Sequence, residues 1–330
     1  MDEIIELTEG LDLEIDYLAD FKQHKKVRQN LFYTTEGAET FYTYRGEELQ
    51  EIRSDDEYQF FAKQPFLSLE QRVAFVSLGC GNAGPEKLLL HTTYTAGHPV
   101  AYFGVDSSRA MLELAQRNLA DEPFPQTFVL ADFIRPDFAE QWQTLMHPHQ
   151  RLHLTGFDAQ LYTLLGGTFG NFEQDVIAET LARIVPEGHY LYLDVVPQYE
   201  TETQNEQLRN RLSHLSQNLS RFFENLLEKL DLDQTCGELV TEEVDEPATG
   251  ALRYVVQFHI NEALDFPCFG GVVHLMPGES IELMNVRAYK PAALQRFLAQ
   301  WGFRYIDTYT PDVGHLAHLW QRFLFQKLGA

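Results

Sequence analysis

The segment Val73-Ala74-Phe75-Val76-Ser77-Leu78-Gly79-Cys80-Gly81-Asn82-Ala83-Gly84-Pro85-Glu86-Lys87 sets the architecture. Its first six residues form a nearly continuous apolar run of strand length, the pattern of a parallel strand buried on both faces. Glycines come next, letting the backbone turn sharply and approach a ligand, and Pro85 suits the first turn of a helix running into Leu88-Leu89-Leu90. Comparable apolar runs recur at residues 100–105, 127–130, 159–165 and 190–196. Between them residues 108–119 and 174–184 carry helical spacing. Strand and helix in alternation predict an α/β fold built on a doubly wound parallel sheet.

The alternation stops after Pro197. From 205 to 230, Leu208, Leu212, Leu215, Leu219, Phe222, Leu226 and Leu230 recur at helical spacing, which predicts one long amphipathic helix packed on its own chain. Such a seam can also pair two copies, but paired charges flanking it are missing, so a monomer is expected over a dimer. Residues 237–286 read as β-rich, with a turn at 247–250 and a break at Pro277-Gly278. A closing helix at 291–301 and apolar runs at 303–309 and 319–325 return to the sheet. Residues 1–65 mix charge with aromatics at helical spacing, without a clear strand. The expected organisation is an N-terminal helical, aromatic lid (1–61), a cofactor-binding core (62–200), an inserted α+β lid subdomain for substrate recognition (201–286) and a C-terminal completion of the core sheet (287–330).

Composition narrows the partners. The 330 residues are 44% hydrophobic and carry 25 Lys+Arg against 49 Asp+Glu, a formal net charge of −24. So negative a surface repels phosphate backbones and anionic lipid, and no basic cluster offsets it, so neither nucleic acid nor membrane is an expected partner. Cys80, Cys236 and Cys268 are odd in number and far apart, which argues for reduced thiols rather than a zinc or redox motif. The acidic start, Met1-Asp2-Glu3, is unlike a secretory signal, and no apolar stretch approaches the ~20 residues of a membrane span. The expected location is cytoplasmic.

Three strand ends carry candidate ligand-binding groups. Gly79, Gly81 and Gly84 satisfy G-x-G-x-x-G, and Asp106 lies 25 residues beyond Gly81 at the end of the next strand, placed to accept hydrogen bonds from ribose hydroxyls. Asp132-Phe133 follows the third strand, a carboxylate and aromatic ring suited to an adenine amino group and ring face. Gly166-Gly167-Thr168-Phe169-Gly170-Asn171 follows the fourth, a second glycine-rich turn ending in an amide. Ligands of open α/β sheets bind at these carboxyl ends. A nicotinamide dinucleotide and S-adenosylmethionine compete as the ribose-bearing cofactor, and a plain tight turn is the non-functional alternative.

This ordered set resembles class I S-adenosylmethionine-dependent methyltransferases. It is closest to the histidine-specific N-methyltransferase family of ergothioneine biosynthesis, which also holds fungal dimethylallyltryptophan N-methyltransferase. Phe41-Tyr42-Thr43-Tyr44-Arg45-Gly46-Glu47-Glu48-Leu49 is similar to that family's Phe-Tyr-Asp-x-x-Gly-x-x-Leu segment. Gly278-Glu279-Ser280-Ile281 and Tyr289-Lys290-Pro291 are similar to its closing strand and helix start. The likeness spans about residues 40–325. It implies a Rossmann-like class I methyltransferase sheet with an inserted lid, S-adenosyl-L-methionine as cofactor, and methylation of a nitrogen on a small amine or amino-acid-like or indole-like acceptor.

The resemblance also implies roles. Tyr42, Gly79, Gly81, Lys87, Asp106, Asp132 and Phe133 would hold the cofactor. Asn171 and Tyr58 would take part in catalysis and, with Gly166, in substrate binding. The sequence departs from the family's pattern at several points, and no Tyr between Tyr199 and Tyr254 matches its substrate-clamping Tyr. Ser77 stands where many methyltransferases have an acid. The glycine turn is about two residues longer than in the family. Met284 and Val286 occupy closing-strand positions where the histidine methylase has a Glu and a Ser, and neither can pair with an imidazole. Histidine itself is therefore not the expected acceptor.

Methyl transfer from a sulfonium requires alignment, a cage for positive charge and exclusion of water, with no metal and no protein nucleophile. An amine acceptor must lose its proton first; the lid tyrosines Tyr33, Tyr42, Tyr44 and Tyr58 could assist. The histidines 147, 149, 153, 315 and 318 lack accompanying ligands and read as packing or surface groups. Asp55-Asp56-Glu57 reads as a solvated run. A catalytically lapsed binding module that keeps the cofactor fold, and an NAD-dependent oxidoreductase, are the alternative functions.

Overall fold

The computed structural model describes residues 4–7, 21–27, 56–64, 66–67, 71–146, 156–198, 201, 205–206, 227, 232, 234–268, 271–310 and 320–329. Its strands are β1 (Ile5–Glu6), β2 (Val73–Leu78), β3 (Val100–Asp106), β4 (Gln126–Leu130), β5 (Ala159–Leu164), β6 (Tyr190–Pro197), β7 (Gly237–Glu246), β8 (Ala251–Ile260), β9 (Leu264–Cys268), β10 (Gly271–Leu275), β11 (Ser280–Tyr289), β12 (Phe303–Tyr309) and β13 (Gln321–Lys327). The helices are α1 (Asp56–Phe61), α2 (Gly84–Thr95), α3 (Arg109–Leu119), α4 (Phe138–Leu145), α5 (Gln174–Ile184) and α6 (Pro291–Gln300).

The core sheet runs β1-β4-β3-β2-β5-β6, all parallel, and continues through antiparallel β13 to β12. From β2 the chain builds first to one side and then, at β5, to the other, so the order reverses between β2 and β5 and opens a crevice at their carboxyl ends. Every residue of β2, β3, β5 and β6 is buried. This explains why the runs read as apolar throughout rather than alternating.

Two apolar layers sandwich the sheet. Ala74, Val76 and Leu78 point to the α4 and α5 side, where Phe138, Trp142, Ile177 and Leu181 pack. Val73 and Phe75 point to the opposite layer, with Leu89, Leu90, Leu112 and Ala115 of α2 and α3. Helix α1 joins this second layer: Phe60 and Phe61 lie 6.2 and 4.8 Å from the Tyr192 ring. Ser108 caps α3 by accepting from Met111 N–H, an arrangement that contributes roughly 1 kcal/mol.

A second sheet grows out of the first. At its carboxyl end β6 pairs in parallel with the end of β11, through Val196 with Ala288 and Pro197 with Tyr289. From there β11, β8 and β7 run antiparallel. One face of this lid sheet is apolar, with Leu252, Tyr254, Val256 and Phe258 of β8 beside Ile281, Met284, Val286 and Ala288 of β11. The other face is polar, and Arg287 on it is buried. Its guanidinium donates to both Glu246 oxygens at 2.8 and 2.9 Å and to the Gly170 and Phe172 carbonyls, tying the lid sheet to the Gly166–Asn171 turn.

The observed elements match the expected core strands and helices, with ends moved by one or two residues; the last run is displaced to 321–327. Two corrections arise in the N-terminal region. Ile5–Glu6 is a strand on the core edge beside Val129 and Leu130, too short to show any alternation. Glu57 is buried at 8% exposure, not solvated. Most of the expected 205–230 helix lies outside the described residues, as do Tyr33, Tyr42, Tyr44 and the histidines at 147, 149, 153, 315 and 318.

Candidate active site

Gly79 follows β2 with φ +67, Gly81 has φ +53, and Gly166 and Gly167 have φ +76 and +79. This is the left-handed region that favours glycine. The two turns meet: a Cβ on Gly79 would stand 2.9 Å from Thr168 Cγ2 and 3.6 Å from the Phe133 ring. The glycine turn, the second turn and the residue after Asp132 therefore form one cradle over the crevice.

Asp106 organises the neighbouring rim. Gly81 N–H donates to its Oδ2 at 2.9 Å and Ser108 N–H to its Oδ1 at 2.8 Å. Burial pushes its carboxyl up to about 6 against the pull of these amides, with the Asp132 charge adding to the rise. Ala131 N–H donates to the Asp106 carbonyl at 2.9 Å, so Asp106 and Asp132 stand on adjacent strand ends, and Asp132 Oδ1 accepts from Ile134 N–H. Phe133 is 5% exposed and packs edge-on against Phe172 at 5.3 Å.

The second turn is fixed from below. Asp194, in the middle of apolar β6, accepts from Gly166 N–H at 2.9 Å and Gly167 N–H at 2.7 Å, one on each oxygen. Arg322 of β13 lies beside Asp194 and pairs with Glu57 of α1, which also accepts from the Tyr192 hydroxyl at 2.8 Å. Above the turn a Cβ on Gly167 would meet the Trp320 ring at 2.9 Å, and Trp320 packs with Val286 against Val196, Leu252, Tyr254 and Ala288. Asn171, half-buried, ends the turn.

Gly79, Gly81, Asp106, Asp132, Phe133, Gly166 and Asn171 are thus brought to one rim, and Val286 packs against the same apolar cluster as Trp320. Met284 shares the face of Val286 but packs toward the Phe258–Ile281 cluster. Two expected residues are elsewhere. Lys87 faces α3, donating to the Asn118 carbonyl at 2.6 Å. Tyr58 lies with its hydroxyl 3.4 Å from His98, two residues before β3 and so at the opposite end of that strand from Asp106, roughly 20 Å away at strand rise. Tyr42 is outside the described residues. Among the described residues no group of His, Cys, Asp and Glu could hold a metal. No described helix is long and apolar enough to cross a membrane.

Asp194, Arg322, Glu57 and Trp320 carry much of the rim's support, yet none stands out from sequence as a site residue. A lone Asp inside Tyr-Leu-Tyr-Leu-Asp-Val-Val and a lone Arg before Phe-Leu-Phe were the available signals, since a buried polar residue is informative where a buried Leu is not.

The model of a family described as histidine-specific, SAM-dependent methyltransferases matches residues 13–322. The chain belongs to this family. None of the curated proteins matches the methyltransferase. Solved structures similar to it include an S-adenosylmethionine-dependent methyltransferase from Clostridium acetobutylicum (13% identity, 88% of this chain and 99% of that one, TM-score 0.45). A magnesium protoporphyrin IX methyltransferase from Synechocystis with bound SAH is 12% identical over 90% and 96% of the two chains, TM-score 0.43. The glycopeptide N-methyltransferase MtfA with bound SAM is 14% identical over 82% and 92%, TM-score 0.39. The methyltransferase uses S-adenosylmethionine, and its rim fits that group: positive-φ glycines at 79 and 81 turn the backbone sharply at the end of β2, and a fixed carboxylate ends β3 where ribose hydroxyls would be received.

Proposed function

We propose that the methyltransferase methylates a nitrogen of a small amino-acid-like or indole-like acceptor rather than histidine. The supporting observation is the apolar face of the lid sheet, where Met284, Val286 and Tyr254 stand on paired strands, and where Val286 and Trp320, the latter beside Gly167, pack against one apolar cluster. An imidazole set there would have no hydrogen-bonding side chain from 284 or 286, and an unpaired buried polar group is costly. An apolar or aromatic acceptor body suits the face. When bound, the cofactor supplies the electrophilic methyl group.

The protein's part is binding and orientation. Gly79 and Gly81 leave room for the cofactor, with Asp106 on the ribose and Asp132 and Phe133 at the adenine. Gly166 walls the acceptor pocket, and Asn171 holds the acceptor's amino-acid end. The same apolar lining disfavours a charged amine, promoting the neutral form that attacks. Family membership removes the oxidoreductase alternative.

Incubating the protein with S-adenosylmethionine and a panel of histidine, tryptophan, other indole-bearing amines and aliphatic amino acids, with product mass and fragmentation as readout, tests the reading. Turnover of an indole-bearing or apolar acceptor well above histidine, with the label on nitrogen, is expected. Preferential turnover of histidine would overturn it, and cofactor binding without turnover of any amine would favour the lapsed module. A one-chain solution mass is expected; a two-chain mass would assign the 205–230 seam to pairing.

A further inference from the structure

We propose that the free carboxyl oxygen of Glu86 is the acceptor for the ammonium group at the amino-acid end of S-adenosylmethionine, so that cofactor binding is linked to proton release. Glu86 stands in the first turn of α2, directly after the glycine turn, and is 2% exposed. Its Oε1 accepts from the Ser77 hydroxyl at 2.5 Å, and Ser77 lies two residues before Gly79. Its Oε2 has no hydrogen-bond partner. Buried polar atoms are almost always paired, so this oxygen calls for a donor. Its bond to Ser77, which pairs with Thr163 of β5 near the end of β2, sets it next to the strand ends where ligands of such sheets bind and indicates which donor arrives.

The charges around Glu86 point the same way. Asp194 faces it from β6 and Arg322 from β13, while Arg322 is itself paired with Glu57 of α1. Cys80 after β2 and Tyr102 of β3 are the other titratable neighbours, and burial pushes both upward, so each stays neutral. Three carboxyls therefore share one guanidinium. Burial, and beyond it the Asp194 charge, push Glu86 up to about 7 against the Ser77 hydrogen bond and Arg322. A ligand cation would reverse this, and the displaced proton passes to solvent. Lys87, the neighbouring residue expected to hold the cofactor, is committed to Asn118.

Titration calorimetry with S-adenosylhomocysteine, in buffers of different ionisation enthalpy from pH 6 to pH 8, measures the linkage. With half-titration near pH 7, affinity should rise about tenfold across that range, with buffer-dependent heat showing proton release. Glu86→Gln should lose that proton release and flatten the rise. Adenosine, which lacks the amino-acid end, should release no proton from Glu86. If Glu86→Gln keeps the slope and the heat, or adenosine releases the same proton, the assignment is overturned and Asp106 becomes its source. Should Glu86→Gln fail to fold, Ser77→Ala serves instead: losing the hydrogen bond that favours the ionised form must move the midpoint to higher pH, and an unmoved midpoint overturns the proposal. S-adenosylhomocysteine affinity itself is read in the same titrations, so loss of the linkage is distinguishable from loss of cofactor-site binding.

Discussion

Gly79→Ala adds one methyl group where the backbone has φ +67 and where the new carbon would stand 2.9 Å from Thr168 Cγ2. The left-handed conformation costs an alanine about 1–2 kcal/mol, and forcing a methyl into that gap adds about 1–3 kcal/mol. The turn cannot back away, because Gly79 and Cys80 both donate to the Val105 carbonyl, at 2.8 and 3.0 Å. Strain is therefore relieved by moving the second turn or distorting the cradle, and affinity for S-adenosylhomocysteine should fall at least about tenfold, equivalent to about 1.4 kcal/mol. Thr168→Ser removes the offending methyl while keeping the hydroxyl that donates to the Leu165 carbonyl at 2.8 Å. The double variant should regain the steric part and keep the backbone part, a coupling that a double-mutant cycle in titration calorimetry isolates. Strictly additive effects, or a Gly79→Ala affinity indistinguishable from the parent, would show that the two turns do not form one cradle.

Asp106→Asn should weaken S-adenosylhomocysteine binding about 10- to 100-fold at pH 8, as charge-assisted hydrogen bonds contribute about 1.5–3 kcal/mol; unchanged calorimetric affinity would remove Asp106 from the cofactor. Glu86, raised from 4.5 to about 7, holds its proton longer in the folded than in the unfolded chain, so it lowers stability as pH climbs through that window. Glu86→Gln should therefore match the parent near pH 4 and exceed it by up to about 3 kcal/mol at pH 8, measured by urea unfolding of the free protein; the opposite trend would contradict the burial argument. Arg287→Ala should destabilise by roughly 1–3 kcal/mol, because the buried Gly170 carbonyl loses its donor and Glu246 is left with Arg253 alone, and Arg287→Lys should not restore it because the fork of two bonds is lost. Lys87→Ala and Tyr58→Phe should leave S-adenosylhomocysteine affinity within about threefold, as for substitutions remote from a ligand; a larger calorimetric loss from either would return that residue to the rim.

The core was legible because its signals are local. Continuous apolar runs mark the strands, glycine turns mark their ends, and a proline marks the start of the next helix; the rim residues Gly79, Asp106, Asp132 and Gly166 sit at those ends. The features that sequence concealed depend on direction and distance. Lys87 belongs to the right turn but faces α3, and Tyr58 lies in the right segment but at the wrong end of β3. The link from Glu57 through Arg322 to Asp194 joins positions far apart in the chain, which no spacing rule reaches. Ser77 was noticed as a missing acid; only packing shows that Glu86 brings a carboxylate to it from the next helix.

Strand β11 begins in the lid sheet and ends against β6. A single ten-residue ribbon therefore belongs to both sheets, its last two residues anchored to the cofactor core and positions 284 and 286, proposed to face the acceptor, just before them. Diversification at 254, 256, 284 and 286 could retune which molecule is modified without loosening the grip on the methyl donor, so a combinatorial library confined to those four sites is a natural starting point for re-engineering this enzyme.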